Sequence, residues 1–208
     1  MFENRADAAK QMADMLKKYK NAKNTIVLGI PRGGVEIGYY IAKALNLPLS
    51  IVVVKKLGHP YNEEYAIGAI GKDNEIINEE VIESEGISRE HIKKEIERLR
   101  SEVKHRYEKY VEGKIPDIKN KTVIVCDDGV ATGITLMLSI EILRKQNPRK
   151  IIVAVSVAPD AAIEKLKLVA DEVYCPLIVT AAEFFAIGQF YKDFQQVEDQ
   201  DAIRFLKK

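Results

Sequence analysis

The residues with the clearest chemical potential lie in VIVCDDGVATGIT, residues 123–135. An apolar run typical of a buried strand leads into two carboxylates, Asp127 and Asp128. Because unpaired charge is costly inside a core, we expect this pair where the strand leaves the sheet, the edge at which open α/β sheets bind ligands. Paired carboxylates can accept hydrogen bonds from vicinal hydroxyl groups or hold Mg²⁺ through water. The alternative is that one of them caps the following turn.

The loop after the two carboxylates predicts an anion site. Its small residues would let backbone N–H groups approach an anion, and a helix beginning near Ile134 would add the positive end of its dipole. Thr132 and Thr135 add hydroxyl donors, although either could be a plain N-cap. The absence of GxxxxGK[ST] disfavours a nucleoside triphosphatase loop. An acid pair beside an anion loop suits a ribose that carries a phosphate.

A second glycine loop, GIPRGGVEIG, follows the first predicted strand. Arg32 beside Gly33 and Gly34 favours another anion, and the spacing is not GxGxxG. The next strand ends in Lys55 and Lys56 rather than in the acid that holds an adenosine ribose, which disfavours a dinucleotide site. The lysines could complete the anion pocket, or lie in a solvated loop. Arg32 could equally be a surface turn residue.

The elements that must position these loops form an α/β pattern. TIVLGI, VEIGYYIAKALN and LSIVVVKKL predict a βαβ unit, and hence an open, mostly parallel twisted sheet flanked by helices. Ser88 is the expected N-cap of a highly charged helix that packs on the domain or on a second subunit. The predicted helices span 3–19, 35–46, 88–112, 134–146 and 160–170. The other predicted strands span 150–158 and 172–179, with a hairpin over 66–79.

Composition limits the class of protein. The 208 residues suit one α/β domain, or a core with a small appendage, and a net charge of +1 gives no general case for nucleic-acid or membrane binding. No apolar run approaches the roughly 20 residues that span a bilayer, and the N-terminus lacks a signal-peptide core. We therefore expect a cytoplasmic protein, with Cys126 and Cys175 as buried, reduced thiols.

The motifs resemble those of the type I phosphoribosyltransferases. VIVCDDGVATGIT is similar to the phosphoribosyl-pyrophosphate (PRPP) motif of that family, GIPRGG resembles its pyrophosphate loop, and KKLGHPYNEEYAIGAIG its flexible catalytic loop and hairpin. FENRADAAKQMADML and FAIGQFYKDFQQV resemble a subgroup of predicted phosphoribosyltransferases whose acceptor is unassigned. The resemblance covers most of the chain, and the PRPP motif is its most specific part.

The resemblance implies a role for each motif. The carboxylates would bind the ribose hydroxyls and hold Mg²⁺ indirectly, the loop from Ala131 onward would wrap the 5-phosphate, and the Arg32 loop would meet pyrophosphate through a strained or cis peptide. The PRPP-binding set comprises Arg32, Gly33, Gly34, Lys55, Lys56, Asp127, Asp128, Gly129, Val130, Ala131, Thr132, Gly133, Ile134 and Thr135. The catalytic set comprises Lys56, Arg32, Asp127 and Asp128.

The implied reaction displaces pyrophosphate at the anomeric carbon by a nitrogen nucleophile of a nucleobase-like acceptor. The protein would stabilise the leaving group and exclude water by closing the flexible loop. Enzymes of the family that act on hypoxanthine and guanine carry a further acid where this chain has Ala131, so that chemistry is not expected here. Adenine enzymes have alanine there and use a glutamate of the flexible loop, which makes Glu63, Glu64 and Tyr65 candidates.

The acceptor should lie under a hood, formed by the N-terminal helix and residues 180–208 around a core of about 20–180 in a single domain. Phe184, Phe185 and Tyr191 could stack on a heterocycle, or belong to the core. His59 could be a ligand at the tip of the flexible loop. The resemblance also implies a homodimer. The alternative function is a regulatory protein that senses PRPP or a nucleotide, which the near-neutral charge and lack of an added nucleic-acid module disfavour.

Overall fold

The structure is a computed structural model that describes residues 1–63 and 65–208. The α-helices of these residues are α1 (Arg5–Met15), α2 (Gly33–Leu45), α3 (Glu79–Ser84), α4 (Arg89–Val111), α5 (Ile134–Arg144), α6 (Asp160–Val169) and α7 (Asp199–Leu206). The strands are β1 (Thr25–Gly29), β2 (Leu49–Ile51), β3 (Lys55–His59), β4 (Asn62–Ile70), β5 (Glu75–Ile77), β6 (Thr122–Asp127), β7 (Lys150–Val155), β8 (Val157–Pro159), β9 (Glu172–Tyr174) and β10 (Leu177–Val179).

A five-stranded parallel sheet forms the centre, in the order β2-β1-β6-β7-β9, which confirms the predicted fold class. Every residue of β1 is buried because helices cover both faces, which explains the continuous apolar runs in the sequence. Gly29 at the end of β1 is in register with Cys126 of β6. The loops that follow these two strands therefore leave the sheet side by side.

The predicted strand over 49–57 is in fact two strands. β2 belongs to the central sheet, whereas β3 joins β4 and β5 in a separate antiparallel sheet. The N–H of Val53 donates to the hydroxyl oxygen of Tyr107 in α4 at 3.1 Å, so the chain leaves the ladder there. Lys55 and Lys56 consequently belong to the small sheet, and our expectation that they end a strand of the central sheet is wrong. The hairpin over 66–79 is confirmed, with β3 added to it.

The predicted strand over 172–179 also divides into two. β9 extends the central sheet, while β10 pairs with β8 in a two-stranded sheet. Pro176 lies between them, where it cannot donate a ladder hydrogen bond. The predicted strand over 150–158 also divides, into β7 and β8, with Ser156 between them.

Helix α4 confirms the expected charged helix and its cap. The Ser88 hydroxyl accepts the N–H of His91, and the buried stripe that includes Ile92 and Leu99 packs on Leu57 and other residues of the small sheet. The helix therefore packs on its own chain. Helix α1 is shorter than predicted and is followed by a 3₁₀ turn over Lys17–Tyr19.

The N-terminal segment pairs with the segment before α7. The N–H of Phe2 donates to the carbonyl oxygen of Phe190 at 2.8 Å, and the N–H of Lys192 returns a bond to the carbonyl oxygen of Phe2 at 2.9 Å. Tyr191 forms an isolated parallel bridge with Phe2. The two segments from which we expected a hood are thus in direct contact.

Both cysteines are free thiols; Cys126 is buried as predicted, whereas Cys175 is only partly buried. Burial raises the pKa of Cys126, which is aligned with Gly29 in the sheet, and raises that of Cys175 to about 11. Among the described residues, no helix is long and apolar enough to cross a membrane.

Candidate functional site

The acid pair lies where β6 leaves the sheet. Asp127 is the last residue of β6, and its Oδ1 accepts the N–H of Asp128 at 2.9 Å. Burial, together with the charge of Asp128, raises the pKa of Asp127 well above its usual range. A ligand that brings hydroxyl donors or a cation would stabilise the negative charge of two carboxylates held this close.

Arg5 is a partner of the acid pair that the sequence analysis missed. Its Nε donates to Oδ2 of Asp128 at 2.8 Å, and the two side chains are only 7% and 13% exposed. Its Nη1 donates to the carbonyl oxygen of Gln195 at 2.7 Å. Arg5 lies three and four residues before the buried Ala8 and Ala9, so helical spacing already placed it on the apolar face of α1. A charged residue on that face was the available signal.

The Arg32 loop packs directly against the acid pair. A Cβ on Gly33 would lie 1.9 Å from Oδ2 of Asp128, and one on Gly34 would lie 2.4 Å from the carbonyl oxygen of Cys126. Glycine is therefore required for this approach. The Pro31–Arg32 peptide bond is cis, one of the two states we expected for this loop. Nη1 of Arg32 lies 3.5 Å from a carboxylate oxygen of Glu198, the N-cap residue of α7.

The loop after the acid pair forms a cradle at the start of α5. Together with Asp127, residues 129–136 line a cavity of about 170 Å³. Gly133 adopts a left-handed φ of 81°, and the Thr132 hydroxyl accepts the N–H of Ile134 at 3.5 Å. Within the described part of the chain, the N–H groups of Ala131, Thr132 and Gly133 make no hydrogen bond. These donors and the helix N-terminus suit an anion.

The hydroxyl group of Tyr191 contacts the backbone of the acid pair. The residue does not suit stacking on a heterocycle, one of the two roles that the sequence left open. Its side chain is only 5% exposed, with its ring 5.2 Å from that of Phe2. Its hydroxyl lies 2.7 Å from the carbonyl oxygen of Asp128 and 2.6 Å from the hydroxyl of Ser156, which lies 2.5 Å from the same carbonyl. Burial raises the pKa of Tyr191. The residue is thus part of the core, the alternative left open by the sequence.

The two lysines of β3 lie against α4. Nζ of Lys55 is 2.6 Å from a carboxylate oxygen of Glu102 in α4. Lys56 lines a cavity of about 490 Å³ between the small sheet and α4, together with residues that include Arg98. This cavity and the cradle after the acid pair have no lining residue in common. The contact of Lys55 with Glu102 and the cavity that Lys56 lines thus place both lysines beside α4.

Two of the remaining candidates of the flexible segment, His59 and Glu63, line the same cavity. His59 is buried, and its Nε2 lies 3.0 Å from a carboxylate oxygen of Glu85, so it is not a solvated loop-tip residue. Tyr65 is largely exposed, with its ring 5.9 Å from that of His59. Glu63 lines the cavity, and Glu64 lies outside the described residues.

A loop with three phenylalanines, residues 184–190, packs against Gly129, the residue that follows the acid pair. Phe185 is 85% exposed, whereas Phe184 packs on Phe190 with ring centres 5.5 Å apart. The Gln189 side chain braces the loop by accepting the N–H of Phe185 at 3.0 Å. A Cβ on Gly129 would lie 2.5 Å from Cγ2 of Ile187 in the same loop. The loop that carries the exposed ring of Phe185 is thus held against Gly129, the residue that follows the acid pair, through Ile187.

The model of the phosphoribosyl transferase domain family matches residues 2–191. The chain belongs to this family. In each of two strains of Mycobacterium tuberculosis, a protein named "Putative phosphoribosyl transferase" is 35% identical to it over 211 residues. The match covers 100% of this chain and 47% of each relative, so the chain spans about half the length of these curated proteins.

A solved structure supports the fold of this phosphoribosyl transferase domain. The crystal structure of the protein TT1426 from Thermus thermophilus is 32% identical, with a TM-score of 0.87. The similarity covers 99% of this chain and 97% of that protein. The agreement extends over the α/β core and the segments at both ends.

The donor set of the site fits magnesium bound with a substrate. Among the residues described, no group of three or more His, Cys, Asp or Glu side chains could hold a metal ion. Asp127 and Asp128 supply two carboxylates, and Mg²⁺ is commonly held by one or two carboxylates together with waters and substrate phosphates.

Proposed function

We propose that this chain binds PRPP at the carboxyl edge of the central sheet and transfers its 5-phosphoribosyl group to a nitrogenous base, with release of pyrophosphate. The observation that carries the proposal is the approach of Gly33 to Asp128. This contact joins a loop beside Arg32, suited to one anion, to a ribose-binding acid pair. The cradle at the start of α5, suited to a second anion, follows the same pair.

Each part of the site has a task in this reaction. Asp127 and Asp128 accept hydrogen bonds from the ribose hydroxyls, and Mg²⁺ bound through them would neutralise charge on the departing pyrophosphate. The N–H groups of residues 131–133 and the N-terminus of α5 hold the 5-phosphate. Arg32 binds the pyrophosphate as a planar, permanently charged donor.

Lys56 completes the pyrophosphate site only if the small sheet moves toward the acid pair. In the structure the small sheet is joined to α4 by the ion pair of Lys55 with Glu102. Closure of such a segment after PRPP binds would bring the lysine to the leaving group and exclude water. Exchange of Lys56 for methionine is therefore expected to lower kcat more than PRPP affinity.

The acceptor is a planar heterocycle that stacks on Phe185. The ring is exposed, its loop is braced by the bond from the Phe185 N–H to Gln189, and Ile187 of the same loop packs on Gly129. Exchange of Phe185 for alanine should raise KM for the acceptor by about 5- to 150-fold, because base stacking on an aromatic side chain contributes about 1–3 kcal/mol. KM for PRPP should not change. Exchange of Leu168, which is also 85% exposed, for alanine is the matched control.

The decisive experiment measures pyrophosphate release when the protein is incubated with PRPP, Mg²⁺ and a panel of bases. The double variant Asp127→Asn/Asp128→Asn should lose PRPP binding while it keeps the fold. Exchange of Asp14 for asparagine is the control, since Asp14 forms an exposed ion pair with Lys17 in the first helical segment. Normal PRPP binding by the double variant would refute the site assignment. Tight PRPP binding without turnover of any base would favour a sensor.

A further inference from the structure

Oδ2 of Asp128 is enclosed by two segments that are distant in sequence. Arg5 donates to it from α1 at 2.8 Å, and the Cα of Gly33 approaches so closely that an added Cβ would lie 1.9 Å away. The same oxygen therefore meets the N-terminal helix and the start of α2.

Arg5 is itself held from several directions. Its Nη1 donates to the carbonyl oxygen of Gln195 and lies 3.6 Å from a carboxylate oxygen of Glu36 in α2. Its guanidinium carbon lies 4.0 Å from the centre of the Phe194 ring. Because the guanidinium group is planar and its donors point in fixed directions, it can hold Asp128 and the tail at once. A lysine has one ammonium group and cannot reproduce both bonds in the same geometry.

We propose that Arg5 is a positioning residue for PRPP, which acts through Asp128. Its hydrogen bond to Oδ2 holds the carboxylate beside the Gly33 loop and so fixes the distance between the ribose site and the pyrophosphate site. This role rests on the proposed function. Nothing in it requires Arg5 to touch PRPP, since both of its strong bonds are to protein groups.

Two variants test the role, Arg5→Met and Arg5→Lys. The matched control is Arg144→Met, because Arg144 also bonds a carboxylate and a backbone carbonyl, those of Asp171 at 2.8 Å and Val169 at 3.1 Å, away from the site. The measurements are the Kd of PRPP with Mg²⁺ by calorimetry, the melting temperature, and kcat and KM with a base that supports turnover.

The Arg5→Met variant should bind PRPP about tenfold or more weakly, because a misplaced carboxylate loses a hydrogen bond from a ribose hydroxyl to a charged group. KM for PRPP should rise while KM for the base stays constant. The Arg5→Lys variant should recover part of the affinity. Arg144→Met should lower the melting temperature and leave Kd within about twofold, which distinguishes positioning from a general loss of stability.

Each outcome decides the matter. A folded Arg5→Met variant with wild-type affinity for PRPP would overturn the role of Arg5 and leave the proposed function intact. If Arg5→Met does not fold, the Arg5→Lys variant decides, and an unchanged Kd overturns the role. A wild-type protein that does not bind PRPP overturns the proposed function and this role together.

Discussion

The contact between Gly33 and Asp128 can be tested by exchange of Gly33 for alanine. Gly33 lies at a negative φ, so alanine suits its backbone and the perturbation is steric. The new Cβ would lie 1.9 Å from Oδ2 of Asp128, whereas real Cβ contacts are essentially never shorter than 3.0 Å. The carboxylate or the loop must therefore shift by about 1 Å or more. A shift of the carboxylate stretches its 2.8 Å bond to Arg5.

The size of the effect follows from the hydrogen bonds that this shift removes. A hydrogen bond to a charged group contributes about 1.5–3 kcal/mol, so the loss of one ribose contact should weaken PRPP binding by roughly 10- to 150-fold. Complete rupture of the buried ion pair between Arg5 and Asp128 would cost about 3–5 kcal/mol of stability and sets the upper limit on destabilisation.

Calorimetric titration with PRPP and Mg²⁺ measures the affinity without knowledge of the acceptor, and thermal unfolding measures the stability. The control is Gly38→Ala in the same helix, where the nearest atom to the new Cβ is Cδ1 of Leu49 at 3.0 Å, the end of a side chain that can adjust. A Gly33→Ala protein that binds PRPP within about threefold of wild type would refute the close approach on which the proposed function depends.

Three further changes have distinct expected results. Asp127→Asn should raise the melting temperature of the ligand-free protein at pH 7 and abolish PRPP binding. Burial and the charge of Asp128 raise the pKa of Asp127 in the folded state. The charge of Asp127 therefore destabilises the fold increasingly as the pH rises above its unfolded pKa of about 3.9. Exchange of Glu172 for glutamine should cost about 1–3 kcal/mol at pH 7, measured by urea unfolding. Burial alone would raise the pKa of Glu172, but bonds from Lys150 and other donors lower it, so this stabilisation is present above about pH 4.3 and should vanish as the pH falls further. Tyr191→Phe should cost about 0.5–1.5 kcal/mol of stability, because the buried carbonyl oxygen of Asp128 loses one of its two hydroxyl partners and keeps Ser156; equal urea midpoints for variant and wild type would contradict this.

The sequence was sufficient to predict the central sheet and the position of its ligand edge. The apolar runs before Gly29 and Asp127 are long and uninterrupted, and parallel strands place the loops that follow them at one edge. The cap at Ser88 and the start of α5 were equally predictable, because local side chains and glycine conformation determine both.

Features that depend on tertiary contacts could not be predicted in the same way. The division of the strand at Val53 depends on a hydroxyl group of Tyr107, which lies 54 residues away in the chain. The pairing of Arg5 with Asp128 and the burial of Tyr191 also arise from distant segments. Periodicity identifies the face on which a residue lies, but it does not identify the partner that the residue meets there.

The pairing of the two distant ends of the site has a consequence for synthesis of the chain. Arg5 and Asp128 are 123 residues apart in sequence, and Arg5 and the carbonyl of Gln195 are 190 residues apart. Contacts with such long sequence separation form late. Helix α1 is translated many seconds before Asp128 and Gln195, the partners of Arg5. A nascent chain that already contains the acid pair still lacks the backbone oxygen that orients Arg5. The ligand site would therefore mature as one of the last events of folding, after the sheet beneath it has formed.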